Sequence, residues 1–251
     1  MNFLGIDIGG TGIKGAIVNV ESGELVTPRC RIPTPSPSLP DAVADVVGEI
    51  TKNLDYSGPA GITFPGVIKK NIVHTAANVD DHWIGIDGRK LFTDQVDGDV
   101  TLINDADAAG VAEIKFGAGL GQKGTVVMLT LGTGIGSAVF QDGRLLPNSE
   151  FGHLKIRGKD AEKRASERVR EEKNLSWKKW SKRLVDFLNE LEILFSPDLF
   201  IIGGGISKKG DKFIPYLETS VSAPVVPAKM RNEAGIIGAA WMAAEGGYKA
   251  A

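Results

Sequence analysis

Asp7-Ile8-Gly9-Gly10-Thr11-Gly12, with Lys14 two positions beyond, lies between two apolar runs, Phe3 to Ile8 and Ile13 to Val20. Two strand-like runs joined by glycines read as a hairpin. The turn gathers a carboxylate, a hydroxyl and bare backbone amides, a combination that can hold a phosphate and its magnesium ion. A third run, Leu25 to Ile32, follows the turn Glu21-Ser22-Gly23-Glu24, so the first 32 residues read as an antiparallel meander.

The same grammar recurs later: strand Thr125 to Leu131, then Gly132-Thr133-Gly134, then strand Gly136 to Phe140 and a turn at Gln141-Asp142-Gly143. Two matched glycine-threonine hairpins are hard to explain as mere turns. Gly203-Gly204-Gly205, after the short buried strand Leu199 to Ile202, offers a third place where a nucleotide can lie against backbone free of side chains.

Between these landmarks, the proline-rich stretch from Pro33 to Pro40 suits neither a helix nor a central strand and reads as a stiff loop. Asp41 is expected to cap a helix reaching about Leu54. Ala60 to Phe64 is a strand before Pro65-Gly66, and Val100 to Ile103 is another, ending at Asn104-Asp105 before an alanine-rich helix to about Phe116. The pattern from Lys155 to Phe195 is charged and helical, and Gly235 to Ala244 reads as a closing helix. The alternation gives an α/β chain of two lobes: residues 1–108 with 235–251 as a small lobe, 109–234 as a large one, and a hinge near 105–110.

At 251 residues the chain can bury a real core. Hydrophobic residues at 42%, charged residues at 24% and a mean hydropathy of -0.03 exclude a disordered or fibrous protein. The net charge of -2 gives no reason to expect a nucleic-acid partner. Its distribution is uneven: Lys155 to Arg183 holds twelve basic and five acidic residues, net +7, against -9 on the remainder. Polyanion binding, if present, belongs to that segment. One cysteine, Cys30, allows no internal disulfide and fits a reducing compartment, so a cytoplasmic location is expected. No signal peptide or membrane span is visible in the sequence.

Asp105 has the chemistry of a general base, because a hydroxyl attacking a phosphoryl group needs a carboxylate to take its proton and aim it. It could equally cap the following helix, a task Asn104 could also perform. Glu150 can accept two bonds from vicinal hydroxyls. His74 and His82 suggest no special role, Trp83 reads as core, and Trp177 and Trp180, three apart with Leu184, read as an apolar seam.

The three glycine loops, in this order, resemble the sugar-kinase branch of the actin-like ATPase (ribonuclease H-like) fold, and within it the ROK (repressor, open reading frame, kinase) family. The resemblance covers nearly the whole chain. Phe64-Pro65-Gly66 and Asn78 look like the family's sugar loop, Asn104-Asp105-Ala106 its catalytic strand end, and Glu150-Phe151-Gly152-His153 its Glu-x-Gly-His signature. The resemblance implies that a hexose binds between the lobes through Gly66, Asn78, Asn104, Asp105, Glu150, His153 and Glu162, and that Asp105 deprotonates its 6-hydroxyl. Phosphate and nucleotide would be held by Asp7, Gly9, Gly10, Thr11, Lys14, Gly132, Thr133, Gly134, Gly203, Gly204 and Gly205, with magnesium on Asp7 through water.

The chain departs from the common family pattern, in which the signature histidine and three downstream cysteines hold a structural zinc. With Cys30 alone, no zinc is expected, and His153 either bonds the sugar or is a structural histidine. Glu162, in Glu162-Lys163-Arg164-Ala165-Ser166, matches the glutamate after the family's last cysteine and is either a sugar ligand or an idle surface residue. In place of the zinc loop stands a basic segment with Lys155, Arg157, Lys159, Lys163, Arg164, Arg168 and Arg170, interleaved with Glu167, Glu171 and Glu172. Together with Leu175-Ser176-Trp177 and Trp180, this segment is similar to the family's polyphosphate-using glucokinases, some of which also use ATP. That likeness implies a hexose kinase taking inorganic polyphosphate and ATP, with Arg164, Arg168 and Arg170 as a track for the chain. Glucose, with mannose as the second candidate acceptor, would be phosphorylated, and a homodimer would be the assembly. An ATP-only glucokinase is the alternative enzyme. A sugar-sensing regulator of the family carries an added N-terminal DNA-binding domain, for which a first strand at Phe3 leaves no room, and Asp105 argues against a sensor without catalysis.

Overall fold

Alternating apolar residues make β1 (Asn2–Gly9) and β2 (Gly12–Asn19) an antiparallel pair, in register from Asn2 opposite Asn19 to Gly9 opposite Gly12. The computed structural model describes residues 1–76 and 79–247. Leu4, Ile6 and Ile8, two apart, are fully buried in one cluster with Val43, Val47 and Ile50 of α1 (Pro40–Asn53). β3 (Glu24–Leu25) and β4 (Cys30–Ile32) both pair with β2. The single strand expected over Leu25 to Ile32 is therefore two. The break has a cause: Pro28 has no N–H to give to a ladder, and Ile17 is satisfied there by the Thr27 hydroxyl at 3.0 Å. α1 also starts differently from expectation. Leu39 occupies the cap position with no side-chain bond, Pro40 opens the first turn and Asp41 lies inside it, where proline's fixed φ starts a helix and an acid suits the dipole.

β5 (Ala60–Phe64) adds parallel to β1. β6 (Ile68–Lys69) and β7 (Ile72–Val73) form a small hairpin, α2 (Gly88–Thr93) follows, and β8 (Val100–Asn104) pairs parallel with β5 before α3 (Asp105–Phe116). Trp83 is fully buried against Phe64 and Phe92.

The second sheet repeats the plan with β9 (Thr125–Leu131), β10 (Ile135–Gln141) and β11 (Arg144–Leu146) as an antiparallel meander. The segment from Lys155, expected to be helical throughout, begins instead with a hairpin of β12 (Lys155–Ile156) and β13 (Lys159–Asp160). Arg157 and Gly158 both take positive φ at its tip, which is what a two-residue hairpin turn requires. Then come α4 (Glu162–Ala165), α5 (Glu167–Glu172) and α6 (Trp177–Phe195). Trp180, Leu184, Phe187, Leu188 and Leu191 of α6 recur at helical spacing and are fully buried against Val127, Leu129, Phe200 and Ile202. β14 (Leu199–Gly203) joins parallel to β9; α7 (Ile214–Glu218) and β15 (Val225–Pro227) follow.

The closing helix α8 (Ala234–Ala244) returns to the first sheet. A methyl group at Gly5 would stand 2.0 Å from the Ile236 carbonyl oxygen, and one at Gly61 would stand 1.8 Å from that of Ala239. The helix backbone thus rests directly on the strands, which only glycine permits. The chain divides into two compact units, Met1–Ala112 with Glu233–Ala251, and Glu113–Asn232.

Candidate active site

In the first unit, the β1–β2 register sets Asp7 directly across from Lys14. The Lys14 ammonium is 3.5 Å from Asp7 Oδ2, and the buried Thr63 hydroxyl donates to Asp7 Oδ1 at 3.0 Å while accepting from the Ile8 amide at 3.1 Å. The carboxylate is therefore fixed from two sides. Thr34 donates its hydroxyl to the Gly9 carbonyl at 2.5 Å, and the Arg31 guanidinium donates to the Thr11 carbonyl at 3.0 Å. Sequence reasoning missed Thr63 and Arg31. Arg31 is the β4 partner of Lys14, so the signal existed only in strand pairing: a second cation beside the glycine turn between β1 and β2.

At the end of β8, Asn104 is 5% exposed. Its side-chain oxygen accepts from the amides of Ala106 and Asp107 at 2.9 and 3.0 Å, and its amide group donates to the Gly66 carbonyl at 3.1 Å. Asn104 is the cap of α3 and also ties that helix to the Gly66 loop. Gly66 in turn cannot carry a side chain, because a methyl there would stand 2.0 Å from the Thr75 carbonyl oxygen. Asp105, half-buried, opens the helix and accepts from the Ala106 amide at 2.8 Å. Asn78 lies outside the described residues.

In the second unit, Ser137 and Ser149 clamp β10 to the segment that carries Glu150. The Ser137 hydroxyl donates to the Ser149 carbonyl at 2.8 Å, the Ser149 hydroxyl donates to the Ser137 carbonyl at 2.9 Å, and the Phe151 amide donates to Ser137 Oγ at 3.0 Å. Gly152 completes the seat, since a methyl there would meet the Ile135 carbonyl at 2.3 Å. Glu150 Oε2 is 3.8 Å from His153 Nε2. Burial pushes the Glu150 carboxyl above its ordinary value; His153 opposes this and Glu162 adds to it. Glu150, His153 and Glu162 thus form one neighbourhood.

The Gly132-Thr133-Gly134 turn is closed by the Gly132 amide donating to the Gly134 carbonyl, and the Arg168 amide bonds the Gly132 carbonyl, both at 3.1 Å. Gly204 has a φ of 84° and would place a side chain 2.2 Å from the Leu131 carbonyl, so the end of β14 presses on the end of β9 next to the turn. Two acids of the basic segment approach these loops: Glu162 Oε2 at Gly134, and Glu167 Oε2 at Gly205.

Arg164, Arg168 and Arg170 have different partners. Arg164 pairs with Asp186 at 3.1 Å. Arg170 stacks 4.2 Å over the Trp177 ring and pairs with Glu171 at 3.4 Å. Arg168 is more than half exposed beside Glu172 at 3.9 Å. A sum of charges along sequence cannot show this, because helix and hairpin turns send adjacent residues in different directions. Among the described residues, no group of three or more histidines, cysteines or carboxylates is set to hold a metal ion, and no helix is long and apolar enough to cross a membrane.

A sequence model of the ROK family matches residues 3–166. The chain is 50% identical over 238 residues to the polyphosphate glucokinase of Mycobacterium tuberculosis, covering 94% of this chain and 89% of that protein. It is 48% identical to that of Mycobacterium leprae, covering 94% and 73%. The crystal structure of the inorganic polyphosphate/ATP-glucomannokinase of an Arthrobacter strain superposes with a TM-score of 0.92 at 50% identity, covering 98% of this chain and 99% of that one. A ROK glucokinase of Streptomyces griseus, solved with glucose and AMPPNP, has a TM-score of 0.84 at 23% identity over 98% of this chain and all of that one, a likeness of fold.

Proposed function

The chain belongs to the ROK family, and on that premise we propose that it is a polyphosphate/ATP-dependent glucokinase. Half identity over nearly the full length to polyphosphate glucokinases carries this reading. The fold is the actin-like ATPase fold of ROK sugar kinases.

In this reading Asp105 accepts the proton of the glucose 6-hydroxyl as that oxygen forms a bond to the terminal phosphorus of the donor. The phosphorus–oxygen bond to the rest of the donor breaks, leaving ADP or a polyphosphate one unit shorter. The fixed geometry of Asn104 supports the assignment: it caps α3 through the Ala106 and Asp107 amides and ties the strand end that carries Asp105 to the Gly66 loop. Gly66, Asn78, Asn104, Glu150, His153 and Glu162 bind the sugar hydroxyls, with the Ser137–Ser149 clamp holding Glu150 in place.

The hairpin residues Gly9, Gly10, Thr11 and Lys14, the turn Gly132, Thr133 and Gly134, and the loop Gly203, Gly204 and Gly205 receive donor phosphates. Magnesium fits Asp7 through water, a single fixed carboxylate being what that ion needs when phosphates supply its other ligands, and when bound it neutralises phosphate charge. Structural zinc is not part of this reading. Acceptance of mannose, a homodimer and a cytoplasmic location complete it. The test is sugar 6-phosphate formation with polyphosphate, with ATP and with neither, each with glucose and with mannose. Phosphorylation of glucose by ATP alone would leave the ATP-only reading, and no phosphorylation would discard both.

A further inference from the structure

Away from the glycine loops, the second unit holds a cavity of about 550 Å³ bordered by residues of α4, α6 and α7. Five cations line it, Arg157, Arg164, Lys178, Lys182 and Arg183, against one acid, Asp186. Asp186 is already divided between two of them, at 2.9 Å from Arg157 and 3.1 Å from Arg164. Arg183 donates to the Arg164 carbonyl at 3.1 Å. Lys178 and Lys182 form no ion pair among the described residues. They stand four apart on α6, where like charges repel across one helical turn.

The wall also contains donors left without a partner. Ser181 is 1% exposed and lines the cavity; among the described residues its hydroxyl has no hydrogen-bond partner, and neither does the buried Nε of Arg164. Unpartnered buried polar atoms cost stability unless something meets them. An excess of four positive charges around a concave space, with guanidinium forks beside ammonium groups, matches an anion whose charges sit close together on tetrahedral oxygens.

We propose that this cavity is a binding site for adjacent phosphates, a linear oligophosphate, separate from the loops that present the transferred phosphoryl group. α4 separates the two places: Glu162 meets Gly134, and Arg164, two residues on, lines the cavity. The phosphates have two possible sources, the remote part of a polyphosphate donor or a free oligophosphate. Naming the first rests on the function proposed above.

The experiment is calorimetric titration of tripolyphosphate into the full chain saturated with ATP, for the parent protein and for Lys178→Ala/Lys182→Ala. Both lysines are exposed, so the fold should survive; Lys182→Glu gives an independent second variant. Binding to the ATP-saturated parent, weakened at least about tenfold or ~1.4 kcal/mol in both variants with ATP-dependent glucose phosphorylation retained, is expected. If KM also rises for long polyphosphate more than for short, the donor's remote part is the occupant; if tripolyphosphate binding falls while both donors' kinetics hold, it is a free oligophosphate. No binding to the ATP-saturated parent, or equal binding to the variants, overturns the proposal. Failure of the glucokinase reading would appear separately, as absent glucose phosphorylation in the parent protein.

Discussion

Glu162 Oε2 lies 2.7 Å from the position a Cβ on Gly134 would take, so an acid of α4 borders the second glycine-threonine turn. A methyl there meets only the end of a flexible side chain, which can move. Gly134→Ala should therefore keep its Tm within a few degrees while displacing Glu162, raising KM for glucose or donor several-fold. Gly204→Ala is the contrasting case. It combines a left-handed φ of 84° with backbone 2.2 Å away, and should cost roughly 1–3 kcal/mol. Thermal melts of the two variants check this, and an equal loss of Tm in both would refute the distinction.

Asp105→Asn keeps the shape of the strand end and the cap made by Asn104. Glucose binding should stay within a few-fold while turnover falls at least about a hundredfold, the lower end for loss of a general base. Glucose titration and steady-state rates on the same preparation separate the two effects. Near-normal turnover would remove Asp105 from the mechanism.

Both hairpins and the strand end at Asn104 were legible because glycine runs between apolar alternations have few other readings. The closing helix could be placed from its apolar run, yet its seat on Gly5 and Gly61 could not: those glycines look like any strand glycine until Ile236 and Ala239 arrive from the far end of the chain. The same holds for Thr63 and Arg31, which reach the first glycine turn by strand pairing across tens of residues. The Arg157-Gly158 hairpin was hidden by the charged, helix-like composition that surrounds it. Direction was the other missing quantity, since Glu162 and Arg164 share a helix and point to different places.

Glu150 supplies a pH dependence. Burial raises its carboxyl above the ordinary 4.5, so the folded chain keeps this proton to higher pH than the unfolded one. The linked stability is present below 4.5 and lost as pH rises through the raised value. Sugar binding has the opposite sense, because the ionised carboxylate is the better acceptor of hydroxyls. Glucose affinity should weaken on acidification starting above 4.5, and Glu150→Gln should flatten that limb. Equilibrium titration without donor is the appropriate measurement, as it removes any contribution from phosphoryl transfer. An unchanged limb in the variant would assign the titration elsewhere.

The three arginines of the basic segment should behave differently from one another. Arg168 is exposed, with only a 3.9 Å partner in Glu172, so it can serve a polyanion at little cost to the fold. Arg164 and Arg170 have side chains 19% and 16% exposed; the first holds Asp186 and the second covers the Trp177 ring, a stacked contact worth roughly 0.5–2 kcal/mol. Arg168→Gln should lower polyphosphate-dependent kcat/KM several-fold, with the ATP reaction changed much less and Tm preserved. Raising salt should mimic it, since exposed attractions are screened beyond about 8 Å at 0.15 M. Arg170→Gln should instead lower Tm and reduce both reactions together as folded protein is lost. Donor-selective loss in Arg170→Gln with Tm intact would place Arg170 in the polyphosphate track beside Arg168. Equal loss of both donors in Arg168→Gln would make the segment structural and favour the ATP-only enzyme.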